Sequence, residues 1–175
     1  RVYDAYRQRL GLGTRSVKML ATDELQAIYK SQYWDAVAGD ALPSGIDYCI
    51  FDFAVNSGPV RAIKYLQMAL GVTADGQLGQ VTLRAAEEAD PHIIIKEVCA
   101  RRLSFLKNLK TWDDFGNGWS SRVAGVRALA TEMARGRLPT VPAPDVPETP
   151  SAPPRAPRGL LMAIVEFILK LFGRR

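Results

Sequence analysis

One stretch, Phe51 to Leu83, constrains this chain more than any other: FDFAVNSGPVRAIKYLQMALGVTADGQLGQVTL. It sets an apolar helix, a Gly-Pro break, a second helix ending in LQ-x-x-LG-V, an Asp-Gly turn and a Gly-x-x-Thr-Leu helix start in a fixed order. Each signal has a mechanical reason. Gly58 can end one helix, and Pro59 suits the first turn of the next, where its missing N–H costs nothing. Ala62, Ile63, Leu66, Ala69 and Leu70 recur at helical spacing. Asp75-Gly76 is a turn pair, with Gly79 helping to fix it. Short helices joined by tight connections are the predicted result.

The rest of the first 138 residues reads the same way, and no stretch shows sustained period-two alternation. An all-α fold is therefore predicted. Val2, Tyr3, Tyr6 and Leu10 form a stripe that ends at Gly11 and Gly13. Thr22 is the expected N-cap of the next helix, with Asp23 and Glu24 in its first turn, where the helix dipole favours acids. Leu25, Ile28, Tyr29 and Gln32 or Tyr33 give that helix one buried face. Pro43-Ser44-Gly45 breaks the chain before a face of Ile46, Ile50, Phe51, Ala54 and Val55. Gly79 leads into a helix with Val81, Leu83 and Ala86, and Thr82 is a candidate cap. Asp90-Pro91 starts a longer helix carrying Ile94, Val98, Phe105 and Leu109. Trp119, Val123, Val126, Ala130 and Met133 mark the last core helix.

Eight of the eleven prolines lie between Pro139 and Pro157. Such a segment is an extended spacer that builds no core. Beyond it, Leu160 to Phe172 carries only Glu166 and Lys170 as charges. A helix of 13 residues there spans about 20 Å, short of the ~30 Å hydrocarbon core of a bilayer. It is expected to lie in a membrane interface, with Arg174 and Arg175 at the headgroups, or else to dock or self-associate.

Chemistry is bounded by what is scarce. Cys49 and Cys99 are the only cysteines and His92 the only histidine. That inventory argues against a zinc site and a histidine-based triad. Both thiols are read as free core cysteines. Net charge is +5, a surplus that suits an anionic polymer or an ordinary mixed surface equally well.

Two ordered motifs then carry a family resemblance. Tyr29, Tyr33, Trp34, Asp40, Leu42, Pro43, Gly45, Asp52, Ala54, Val55, Asn56, Gly58 and Pro59 fit Y-x-x-x-Y-W…D-x-L-P-x-G…D-x-A-V-N-x-G-P. This resembles the glycoside hydrolase family 108 muramidases. Ala62, Leu66, Gln67, Leu70, Gly71, Val72, Asp75, Gly76, Gly79, Thr82 and Leu83 fit the pattern of the peptidoglycan-binding domain that accompanies them, and Phe115 to Val123 (FGNGWSSRV) fits its F-G-x-G-W-x-x-R-V ending. The resemblance implies a lysozyme-like helical domain with a helical peptidoglycan-binding lobe. It places the end of a muramidase domain at 1–58, the peptidoglycan-binding domain at 59–138, the Pro-rich linker at 139–158 and a membrane-associating tail at 159–175.

It also implies the function: a peptidoglycan hydrolase of the N-acetylmuramidase, endolysin-like type, or a membrane-tethered wall-binding module without catalysis. The tail alone could instead perturb bilayers. The expected partner is peptidoglycan glycan, with membrane contact through 159–175, no nucleic acid and no cofactor. The expected location is the cytoplasm until release, or the inner membrane facing the periplasm.

Tyr33, Trp34, Asp52 and Asn56 are the candidate sugar contacts. The aromatic rings can stack on sugar faces or fill the core. Asn56 can bond an N-acetyl group or cap its own helix. Asp52, one turn earlier, is either a site carboxylate or a structural group. The family's general acid is the Glu of an E-G-G-Y motif, and no glutamate here precedes a glycine. No catalytic residue is therefore assigned, and the chain is expected to start just past the segment that carries the acid. Glu24 is explained by the helix dipole rather than by catalysis.

Overall fold

The computed structural model describes residues 2–137. The expected linker at 139–158 and membrane tail at 159–175 lie outside the described residues. Within them are seven α-helices and no strand, as the sequence predicts: α1 (Val2–Arg9), α2 (Thr22–Tyr29), α3 (Ile46–Ser57), α4 (Pro59–Leu70), α5 (Gln80–Glu88), α6 (Pro91–Lys107) and α7 (Trp112–Ala134). No helix among the described residues is long and apolar enough to cross a membrane. The chain divides into two units, one holding the described residues up to Lys30 and the other running from Ser31 on.

In the first unit α1 and α2 are tied by polar side chains. Glu24 accepts from the Tyr3 hydroxyl at 2.9 Å and from Arg7 Nη1 at 2.8 Å, and it also pairs with Arg15. Its Oε2 takes the Ala21 amide at 3.1 Å. The N-cap of α2 is Ala21, not Thr22, and no N-cap side chain bonds the helix; Glu24 reaches back to satisfy the free amide instead.

The second unit is built on α3, which is buried from Ile46 through Ala54 and packs against α4, α6 and α7. The helix is apolar nearly all round, so it must be enclosed. The expected helix breaks around it hold. Gly58 stands at φ 89° between α3 and α4, and Pro59 opens α4. Asp90 accepts from the His92 amide at 2.8 Å, and Pro91 opens α6. Cys49 and Cys99 are free and buried, with their sulfur atoms 3.6 Å apart. The hydrogen bond between them, together with burial, holds the Cys49 thiol well above its ordinary range.

Asp47 caps α3 from within its first turn. Its Oδ1 accepts from the Gly45 amide at 2.7 Å and the Tyr48 amide at 2.6 Å. Burial pushes its carboxyl up from 3.8 to about 6; the Tyr48 and Gly45 amides oppose the rise and the Asp40 charge adds to it. The folded state therefore holds the proton more tightly than the unfolded chain does. Stability is greatest below the unfolded value and falls as pH rises through about 6. Asp47→Asn keeps an acceptor oxygen and removes the buried charge. We expect it to stabilise the protein at pH 7 by about 1–2 kcal/mol and to flatten the pH dependence between about 4 and 6. Urea titrations of both proteins across that range check it.

The Asp-Gly turn depends on a residue read at first only as part of a motif. Gln67 is 1% exposed on α4. Its Nε2 donates to Asp75 Oδ1 at 2.7 Å, the Gln77 carbonyl at 3.0 Å and Thr82 Oγ1 at 3.1 Å, and its Oε1 accepts the Gly76 amide at 2.8 Å. One buried amide thus pins both ends of the turn. Thr82 lies inside α5 and serves Gln67, while Gly79 is the N-cap.

Candidate anion site at the end of the third helix

Asp52 sits in the enclosed part of α3 and is fully buried. An isolated carboxylate there would be costly, so charged partners must reach it. Arg102 Nη1 meets Oδ2 at 2.7 Å, and Arg122 Nη2 meets Oδ1 at 2.6 Å. Arg122 Nε adds a bond to Oδ2 at 3.3 Å, which makes that pair a two-point fork. Arg102 occupies a core register of α6, in step with Ile95, Val98, Cys99 and Leu106, and is 2% exposed. Its guanidinium lies 5.0 Å from the Phe53 ring centroid.

Beside this knot, where α3 ends and α4 begins, a cavity of about 260 Å³ opens between α3, α4, α6 and α7. Arg61, Arg102 and Arg122 line it together with Asn56, Phe105 and Trp119, and Leu106 and Leu109 complete the apolar wall. Arg61 is steered by two contacts. Its guanidinium stands 4.5 Å from the Phe105 ring centroid, and its Nη1 reaches the Ser57 carbonyl at 3.3 Å. Trp119 is placed by Phe115 and Trp112, with ring centroids at 5.7 and 6.2 Å. Gly116 permits that arrangement, because a Cβ there would come within 2.7 Å of the Trp112 ring. Three guanidiniums face this space and no carboxylate lines it, which makes it an anion site by charge.

The four expected sugar contacts fare differently. Asn56 is exposed at the cavity rim, its Nδ2 donating to the Asp52 carbonyl at 2.8 Å. Asp52 lies behind the cavity with its carboxylate given to the two arginines. Trp34 is 4% exposed; its Nε1 donates to Asp40 at 2.9 Å and its ring meets Phe51 edge-on at 5.6 Å. Gly39 presses on it so closely that a Cβ would approach to 2.4 Å. The indole is thus held in the core. Tyr33 is half-buried and does not line the cavity.

Arg61 and Arg102 were not singled out from the sequence, and Trp119, read there as a core residue, is half-buried at the cavity. The signal for Arg102 was present: a cation in the apolar register of a helix must find a buried partner. Trp119 and Arg122 stood in the FGNGWSSRV run. Among the described residues no cluster of three or more His, Cys, Asp or Glu side chains is arranged to hold a metal.

Comparison with known proteins agrees with the motifs. Residues 1–58 match the family described as Glycosyl hydrolase 108, and residues 61–124 match a "Predicted Peptidoglycan domain". The chain is 42% identical to SagA of Brucella abortus, whose structure superposes with a TM-score of 0.69 over 75% of this chain and 77% of that one. This chain belongs to the glycosyl hydrolase 108 family. No curated protein matches it. Most of the cavity lining, from Arg61 to Arg122, falls in the segment that matches the peptidoglycan domain, whereas Asp52 and Asn56 fall in the hydrolase segment.

Proposed function

We propose that this chain belongs to a peptidoglycan hydrolase, an N-acetylmuramidase that cuts the glycan strands of the bacterial wall, and that its described residues supply the grip on the wall. The observation that carries the reading is the union, in one chain, of a glycosyl hydrolase 108 segment and a peptidoglycan-domain segment. Glycoside hydrolysis needs a carboxylic acid that can deliver a proton to the leaving oxygen. The best-enclosed carboxyls of this chain are otherwise engaged. Asp52 is held by two guanidiniums. Glu24 is nudged up by partial desolvation, but the Ala21 amide, Tyr3, Arg15 and Arg7 outweigh this and leave it below the ordinary range. That is the wrong direction for a general acid. Asp47 is raised to about 6 but is buried and bonded to the amides of its own cap.

The same engagement favours a second reading, a peptidoglycan-binding module without catalysis. Incubating the complete gene product with purified sacculi separates the two. The hydrolase reading expects sedimentation with the sacculi and release of new reducing ends. Sedimentation without reducing ends supports the binder, and failure of both overturns the two readings together.

A further inference from the structure

We propose that the cavity between the end of α3 and helices α4, α6 and α7 is a carboxylate subsite that takes the alanyl terminus of a wall stem peptide, rather than a sugar. The assignment rests on the peptidoglycan reading above and adds to it the part of the polymer that is held.

Size argues first. About 260 Å³ is ample room for the last residue of a peptide and lies at the small end of the ~300–1,000 Å³ sites that enclose drug-sized ligands. Charge argues second. Arg61, Arg102 and Arg122 line the space, and the single carboxylate that Arg102 and Arg122 share, Asp52, offsets only one of the three charges. Arg102 is nine-tenths buried, and its Nε–H has no hydrogen-bond partner. Buried donors are ordinarily satisfied, so this unmet one leaves the Arg102 guanidinium with unused bonding capacity behind the cavity wall. Shape argues third. Guanidiniums meet planar carboxylates through paired N–H bonds, as Arg122 already does with Asp52. Phe105, Leu106 and Leu109 give the neighbouring wall an apolar surface for a methyl group. Asn56 at the rim can accept or donate to a peptide amide.

The test is isothermal titration of the full chain with three probes: a disaccharide-tetrapeptide muropeptide, its carboxyl methyl ester, and an uncharged chitotetraose. Inorganic phosphate is added as a competitor. We expect the muropeptide to bind, the ester to bind at least tenfold more weakly, and Arg61→Gln to weaken the muropeptide tenfold or more without moving the thermal midpoint. Arg61 is exposed and does not touch Asp52, so the fold does not depend on it. Equal binding of the ester, unchanged binding by Arg61→Gln, or phosphate displacing the muropeptide at equal concentration each overturns the proposal. Protein that sediments with sacculi and releases reducing ends but ignores the muropeptide also overturns it, and leaves the hydrolase reading standing. Protein that takes the muropeptide as expected but releases no reducing ends keeps the subsite and removes the hydrolase.

Discussion

Asp52→Ala should lower stability by about 3–5 kcal/mol. The reason lies less in the bond energy removed than in what stays behind. Arg102 remains 2% exposed with no anion beside it, and Arg122 loses a carboxylate at 2.6 Å. Two like charges then stand side by side at the cavity wall without the carboxylate that joined them. In a unit of this size the loss corresponds to a fall in Tm of at least about 10 °C. Asp52→Leu combined with Arg102→Met tests the cause, because replacing a buried ion pair by apolar groups is often close to neutral. The double variant should recover much of the loss. Thermal melts in which it is no more stable than Asp52→Ala would show that the ion pair is not what the bundle depends on.

Gly45→Ala should cost about 3–5 kcal/mol by a different route, adding backbone strain to overpacking. Gly45 caps α3 at φ 88°, a conformation that L-residues rarely adopt. A Cβ there would also stand 2.3 Å from the Ala130 carbonyl oxygen on α7, a backbone atom with no rotamer to escape into. The control is Gly125→Ala, in the middle of α7, where an added Cβ meets nothing within 4 Å. That change should stabilise by about 0.5–1 kcal/mol through helix propensity. One substitution type thus carries opposite signs at two positions, and chemical denaturation of both variants decides it.

The parts of this fold that were legible in the sequence are those written locally. Gly58-Pro59 and Asp90-Pro91 bring their own reasons with them, since a cap or a break acts within a few residues. The all-α class followed from periodicity alone. The start of α2 was misplaced because the helix begins without an N-cap side chain, and Glu24, three residues in, takes only the Ala21 amide. The anion site was hidden for another reason. Arg102 lies 50 positions from Asp52 and Arg122 lies 70 away, and no local pattern announces which acid a distant arginine will meet. Trp34 illustrates the opposite trap. An aromatic ring in a sugar-binding family invites stacking, yet Asp40, Phe51 and Gly39 enclose it, so its face is spent on packing. Gln67 was quoted as a motif letter, and only geometry revealed it as the peg of the Asp75-Gly76 turn.

The carboxylate of Asp52 lies in the hydrolase-matched segment, and both of its guanidinium partners lie in the peptidoglycan-matched segment. A dissection at the seam near residue 58 would therefore strand an anion in one fragment and two cations in the other. Neither piece should be recoverable as a well-folded product by itself, whereas co-expressed halves should find each other. A chimera that takes one cassette from another protein should therefore fold well only where the other cassette supplies the matching charges.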